Sequence, residues 1–211
     1  MRITKLGHAC LLVEEQETSI LLDPGAFSDG LTDVRGLDVI LITHDHFDHV
    51  APESVKHLLQ NNPDVIIYAE PDAAKLLKEH DIDANVASDG DEFDIKGVRI
   101  QAFGTKHDPI HPDLPDMGNV GFMIAGRLFY PGDALTIPPV AVEILAQPTD
   151  GPWVKLEETL DYLKAIKPKV TIPVHEKTLA MPAMNYGPME QFAKNQGTEY
   201  RNIDDGKPSD F

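Results

Sequence analysis

Three histidines and two aspartates lie within seven residues of this chain. The segment 43–49 reads THDHFDH and follows directly after the apolar run VILI. His44, His46, Asp48 and His49 carry imidazole and carboxylate groups, which are the ligands that suit zinc and similar divalent ions. A solvated polar loop is the ordinary alternative, but so many ligand-type side chains straight after a buried strand favour a metal site.

One short loop cannot complete two coordination spheres, so further ligands must come from elsewhere in the chain. The sequence offers three, each at the C-terminal end of an apolar segment: His107 after RIQAFGTK, Asp133 after RLFYPG and His175 after KVTIPV. Functional side chains commonly lie where strand ends meet loops. We therefore expect these segments to present their ionisable side chains at one common edge.

His111, in the segment HDPIHP, competes with His107 for the third place on one metal. His107 is preferred because it ends its strand directly. His111 lies beyond Pro109 and is expected to line a pocket or to meet solvent.

Strand and helix patterns alternate along the chain and must position these candidates. We predict strands at 2–6, 9–14, 19–23, 38–43, 65–69, 94–105 with a turn at 96–97, 120–125, 127–130, 140–145 and 170–174. Helices are predicted at 52–60, 71–80, 153–166 and about 189–194. These elements define an α/β layered sandwich. Because no repeat or linker interrupts the pattern, a single domain over residues 1–211 is expected.

The composition argues against several classes of function. Lys and Arg number 18 against 35 Asp and Glu, giving a net charge of −17. Such a deficit disfavours binding to nucleic acid or to an anionic membrane surface. The one cysteine, Cys10, allows no internal disulfide, and the N-terminal segment lacks a long apolar run. We therefore expect a cytoplasmic protein with a small-molecule substrate, its oligomeric state being open.

The HxHxDH motif, with a later His, a later Asp and a final His, resembles that of the metallo-β-lactamase superfamily of binuclear metal hydrolases. The opening KLGHACLLVE and the stretch GPWVKLEETLDYLKAIKPKVTIPVH are similar to the branch of metal-dependent hydrolases that includes the ascorbate-phosphate lactonases. The resemblance implies a four-layer αβ/βα sandwich, with the metals at the edge between its two sheets.

The resemblance also implies a ligand set for two divalent ions. One metal would be bound by His44, His46 and His107, the other by Asp48, His49 and His175, and Asp133 would bridge them. Zinc is the first expectation, with manganese or iron as alternatives. Asp23, in LLDP, would lie behind a ligand histidine and fix its tautomer. His8, in LGHAC, would contact substrate or a ligand, with ordinary core packing as the alternative.

The implied activity is hydrolysis of a small ester, lactone or phosphoester by a metal-bridged hydroxide, with Asp48 or Asp133 orienting or moving its proton. Three alternatives are a nuclease or phosphodiesterase of the same superfamily, a di-iron oxidoreductase, and a non-catalytic metal-binding module. The acidic charge disfavours the nuclease, and the complete ligand set disfavours a module without turnover.

Overall fold

The computed structural model describes residues 1–203 and 206–211 and is built from alternating strands and helices. In chain order the strands are β1 (Arg2–Lys5), β2 (Leu11–Glu15), β3 (Thr18–Leu22), β4 (Val39–Ile42), β5 (Ile66–Ala69), β6 (Asn85–Val86), β7 (Glu92–Ile95), β8 (Val98–Phe103), β9 (Gly121–Ile124), β10 (Leu128–Tyr130), β11 (Ile144–Pro148), β12 (Val170–Val174), β13 (Glu199–Tyr200) and β14 (Ser209–Asp210). The helices are α1 (Pro52–Asn61), α2 (Pro71–Glu79), α3 (Leu156–Ile166) and α4 (Ala183–Gln196). None of these described helices has the length and apolar character needed to cross a bilayer.

The strands form two sheets with the same plan, each of seven strands within the described residues. One has the order β14-β1-β2-β3-β4-β5-β6 and the other β13-β12-β11-β10-β9-β8-β7. In both, an antiparallel part leads into a parallel part, β3 to β6 and β10 to β13. Because the C-terminal ends of parallel neighbours meet at one edge, the residues that follow β4 and β12 are placed at such edges.

Apolar side chains alternate between two faces of each sheet and so define the layers. On β3, Ile20 belongs to the core between the sheets, whereas Leu21 packs with α1 and α2 on the outer face. On the second sheet, Met123 and Leu145 pack with Tyr162 and other residues of α3 and α4. The period of two residues that makes this possible is a property of strands. The predicted four-layer α/β sandwich is confirmed.

Three predicted elements begin three or more residues away from the observed start. The strand predicted at 140–145 is instead Ile144–Pro148, and residues 140 and 141, which are exposed, lie before it. The helix predicted from Trp153 begins at Leu156. The last helix begins at Ala183 rather than near 189 and continues through Pro188, a residue that favours a helix start.

A buried ion pair joins the first strand to the end of β12. Lys5 Nζ lies 2.6 Å from Glu176 Oε1 and donates to the carbonyl of Pro173 at 3.0 Å. The Lys5 side chain is only 2% exposed. This pair ties the two sheets together immediately beside His175.

Candidate metal centre

The structure brings seven ligand-type side chains into one cluster. They belong to four segments, which follow β4, β8, β10 and β12: His44, His46, Asp48, His49, His107, Asp133 and His175. All are buried except His46 and Asp48, which are half-buried and line a cavity. The strand-end argument therefore predicted correctly which segments meet.

One half of the cluster has the spacing of a tetrahedral site. His44 Nε2 lies 3.0 Å from His46 Nδ1 and 3.9 Å from Asp133 Oδ2, and His107 Nε2 lies 3.5 Å from that same oxygen. Ligand atoms about 2.0–2.1 Å from a tetrahedral zinc are roughly 3.3 Å apart. The observed distances bracket this value.

The other half is built on Asp48, His49 and His175. Asp48 Oδ2 lies 3.4 Å from His175 Nε2, which is 3.1 Å from Asp133 Oδ2. His49 Nε2 lies 3.1 Å from the other oxygen of Asp133. Asp133 therefore contacts both halves of the cluster.

Several of these buried atoms have no hydrogen-bond partner among the described residues: His49 Nε2, His107 Nε2, His175 Nε2 and Asp133 Oδ1. Buried polar atoms are normally satisfied, and leaving one unsatisfied is costly. Imidazole nitrogens and a carboxylate oxygen converging without partners are what a divalent cation requires. The side chains present thus fit metal ions.

Asp23 fixes two of the histidines from behind. It is fully buried, and its Oδ2 accepts hydrogen bonds from His49 Nδ1 at 2.6 Å and from the Thr43 hydroxyl at 2.6 Å. Thr43 Oγ1 in turn lies 2.9 Å from His44 Nδ1 and accepts a hydrogen bond from its N–H. The Tyr130 hydroxyl also lies 2.9 Å from Asp23 Oδ2. Because Nδ1 is the donor on both rings, Nε2 is the nitrogen that each ring can offer to a metal.

His107 is held in the same way by its neighbour. Its Nδ1 donates to the carbonyl of Asp108 at 2.6 Å, so its Nε2 is also left as an acceptor. His111 lies outside the cluster and is exposed, with its Nδ1 accepting from the backbone N–H of Asp113 at 3.2 Å. The structure therefore brings His107, and not His111, to the other ligand-type residues.

His8 contacts the cluster as a hydrogen-bond donor. The backbone N–H of Lys177 donates to His8 Nδ1 at 3.2 Å, which places the ring proton on Nε2, 3.1 Å from Asp48 Oδ2. Burial outweighs this hydrogen bond and lowers the pKa of His8 to about 4, so the ring is neutral. Its carbonyl accepts from the backbone N–H of His175 at 3.0 Å. Of the two roles expected for His8, the structure shows contact with a ligand-type residue.

In the cluster, each carboxylate lies next to imidazole rings, and each group shifts the pKa of its neighbours. Burial opposes ionisation of Asp133, but His49 and His175 outweigh it and hold the pKa of Asp133 well below its usual value. The nearby His175 ring and the hydrogen bond from His8 likewise outweigh burial and lower the pKa of Asp48. Against its own burial, His175 gains from Asp133 and Asp48, which raise its pKa to about 9. Both carboxylates are therefore ionised at neutral pH.

Several residues around the site have a strained backbone conformation, and two backbone segments approach each other closely there. His8, Asp23 and His175 have φ values of 44°, 45° and 66°, in the left-handed region that non-glycine residues rarely adopt. Such strain is typical of functional sites, where surrounding contacts hold it in place. Gly25 is required by close approach, since a Cβ there would lie 1.9 Å from the carbonyl oxygen of Asp48.

Asn119 and Gly132 position Asp133 and were missed by the sequence analysis. Buried Asn119 accepts from the backbone N–H of Asp133 at 3.0 Å and donates to the carbonyl of Pro131 at 2.8 Å. Gly132 has φ 66°, and a Cβ on it would lie 2.4 Å from Asn119 Oδ1. The PGD sequence was a signal for the turn, but nothing local pointed to Asn119.

Aromatic side chains border the cluster. The ring centroid of buried Trp153 lies 5.5 Å from that of His107 and 6.3 Å from that of His175. Phe47, within the HxHxDH segment, packs edge-on against Phe27 at 5.3 Å. Trp153 also forms part of the cavity wall.

Comparison with known proteins assigns the family. A family model described as a β-lactamase superfamily domain matches residues 2–175. Protein Rv0786c of Mycobacterium tuberculosis is 39% identical over 188 residues, which are 87% of this chain and 87% of that protein. The chain belongs to the β-lactamase superfamily.

Proteins named as metal-dependent hydrolases are among its relatives and structural neighbours. The UPF0173 metal-dependent hydrolase MJ1163 of Methanocaldococcus jannaschii is 25% identical over 212 residues, covering 93% of this chain and 94% of that protein. The structure of Igni18, a metallo hydrolase of Ignicoccus hospitalis, has a TM-score of 0.79 at 20% identity and covers 100% of this chain and 98% of that one. Membership of the metal-dependent hydrolases of the metallo-β-lactamase superfamily is thus confirmed. The lactonase branch stays a prediction.

Proposed function

We propose that this protein is a binuclear metal-dependent hydrolase of a small-molecule ester, lactone or phosphoester. The observation that carries the proposal is the convergence of buried, unpartnered ligand atoms from four segments, with Asp133 reaching both halves of the cluster. His44, His46 and His107 would hold one ion, and Asp48, His49 and His175 the other. Zinc suits this donor set best, with manganese or iron as alternatives.

Two divalent ions bound here would supply Lewis acidity towards the substrate oxygen and would lower the pKa of water towards roughly 7. The chain's own residues then orient the reactants. Asp48 lines the cavity and is ionised, so it can accept a hydrogen bond from the attacking water. Asp133 also lines the cavity but is held between His49 and His175, which limits it to positioning.

The experiment that tests the proposal combines metal analysis with turnover. Wild type reconstituted with zinc is assayed on a lactone, a carboxylic ester, a thioester, a phosphodiester and a phosphomonoester. We expect about two metals per chain and turnover of one class. Asp48→Ala is expected to lose one metal and at least about a hundredfold in turnover.

Asp45→Asn is the matched control, since Asp45 lies in the same loop but outside the groups that could hold an ion. It should keep both metals and full activity. Full activity of Asp48→Ala with two metals retained would contradict the proposed role of Asp48. Metal content well below one ion per chain would contradict the site itself.

A further inference from the structure

The cavity beside the metal-ligand cluster has largely apolar walls. Its volume is about 310 Å³, near the lower end for small-molecule sites. Outside the cluster it is lined mainly by Phe27, Phe47, Ile110, Pro152 and Trp153. Such walls match an apolar part of a ligand, while the cluster faces its reacting group.

Two of these wall residues expose large apolar surfaces to solvent. Phe47 is 63% exposed and Ile110 is 46% exposed. Single exposed apolar residues are ordinary, but these two face one cavity, and clustered apolar surface marks a binding site. The contact between Phe47 and Phe27 supports the Phe47 ring in this position.

A second cavity of about 360 Å³ shares Ile110 with the first. It lies within the segment 107–117, and Leu114, Pro115 and Met117 contribute apolar lining. An apolar substituent that passes Ile110 would therefore meet further apolar surface.

Neither cavity has a lysine or an arginine among its described lining residues. Lys177, next to the lining residue Thr178, donates its amine to the carbonyl of Phe27 and pairs with Asp29. Lys106, next to His107, pairs with Asp116. A charged substituent of the substrate would therefore lose its hydration without gaining a partner.

We infer that the part of the substrate that does not react is a neutral alkyl or aryl group, seated against Phe27, Phe47 and Trp153. This inference rests on the proposed function, because the metal-ligand cluster defines where the reacting bond lies. It excludes substrates whose non-reacting part carries a phosphate or carboxylate.

Binding is tested with two compounds that differ only at the end remote from the metal. 4-Methylbenzohydroxamate and 4-carboxybenzohydroxamate share one metal-binding head, and their remote groups are of similar size. Trp153, the chain's one tryptophan, reports binding to the zinc-loaded protein by its fluorescence. We expect the methyl compound to bind at least about tenfold more tightly, since the carboxylate must be desolvated.

Two variants test whether the difference in binding arises in this cavity. Phe47→Ala should weaken binding of the methyl compound roughly three- to tenfold through lost apolar contact. Ile66→Ala removes another exposed apolar side chain, at the start of β5 and outside the lining of both cavities. This variant should bind both compounds as wild type does. Equal affinity for the two compounds, or no binding of either by protein holding two metals, would overturn the inference.

Turnover is measured in parallel on neutral esters with acetyl, butyryl and hexanoyl groups, and kcat/KM should rise roughly five- to tenfold per two methylenes. Discrimination between the hydroxamates without turnover of any ester, lactone or phosphoester would remove the proposed function and support the pocket assignment. Turnover that depends on Asp48, together with equal binding of both hydroxamates, would support the proposed function and overturn the pocket assignment.

Discussion

The Nε2–H of His8 points at Oδ2 of Asp48 across 3.1 Å, although the two residues are 40 positions apart. The opposite ring nitrogen is occupied by the backbone N–H of Lys177, so this donor direction is fixed. His8 thus supports a proposed ligand rather than serving as one. Residues that hold ligands in this way typically contribute 10–100-fold to metal affinity or activity.

Replacing His8 by Ala should therefore lower kcat roughly 10–100-fold and loosen one of the two metals. His8→Gln, which keeps an N–H donor, should recover part of the loss. His80→Ala, at the exposed end of α2, serves as the control. Steady-state kinetics and metal content of all four proteins measure the effect. Wild-type values for His8→Ala would show that the hydrogen bond to Asp48 does nothing for the site.

Asp23 is the residue whose charge sets the tautomers of His49 and, through Thr43, of His44. Asp23→Asn should weaken metal binding roughly 10–100-fold, because an amide group places an N–H where an acceptor is required. Thr43→Ser keeps the hydroxyl and should change the affinity far less. Titration against a chelator gives the dissociation constants. Similar affinities for Asp23→Asn and wild type would contradict the tautomer argument.

Metal binding should be favoured by rising pH. In the metal-free protein, the carboxylates Asp133 and Asp48 raise the pKa of His175 to about 9, and Asp133 and Asp23 raise that of His49 well above its usual value. At pH 7 both rings are protonated, so ions must displace about two protons. The apparent affinity should rise about tenfold per pH unit for each proton, levelling off for His175 above pH 9.

Calorimetry in two buffers of different ionisation enthalpy counts the released protons, and chelator competition between pH 6 and 9 gives the slope. The His175→Ala variant should release fewer protons and show a shallower slope. An affinity that did not change between pH 6 and 8 would mean that neither ring is protonated in the metal-free protein.

The meeting of the ligand-type side chains could be predicted for two reasons. Most of them are close together in sequence, and all follow strands that end at a common edge. His44 to His49 follow one apolar strand directly, and parallel strands bring their C-terminal ends together whatever their exact pairing. His107 was separable from His111 by the same argument. The layered α/β class followed from the order of strands and helices, whereas the four-layer arrangement was implied only by the family resemblance.

The supporting residues were harder to predict because their partners are distant in sequence. Asn119 reaches Asp133 over 14 residues, and Tyr130 reaches Asp23 over 107. The contact between Tyr130 and Asp23 depends on how the two sheets stack, whereas Asn119 faces Asp133 across the β9–β10 hairpin and depends on the register of that pair. A single polar residue in an apolar segment reveals neither. Phe47 was overlooked for another reason, since it stands among metal-ligand types while its own role is apolar.

The buried pair of Lys5 and Glu176 should contribute to stability only as a pair. Removing one partner takes an opposite charge away from a buried group, and breaking a buried pair in this way typically costs about 3–5 kcal/mol. Glu176→Ala should therefore lower the free energy of unfolding by about that amount, as measured by urea denaturation. The double variant Lys5→Met with Glu176→Leu should be much closer to wild type, because apolar replacements of buried pairs are often nearly neutral. Lys78→Met, which removes one partner of an exposed pair with Asp83, should change the free energy of unfolding far less than Glu176→Ala does. A cost of Glu176→Ala no larger than that of Lys78→Met would contradict this contribution of the pair.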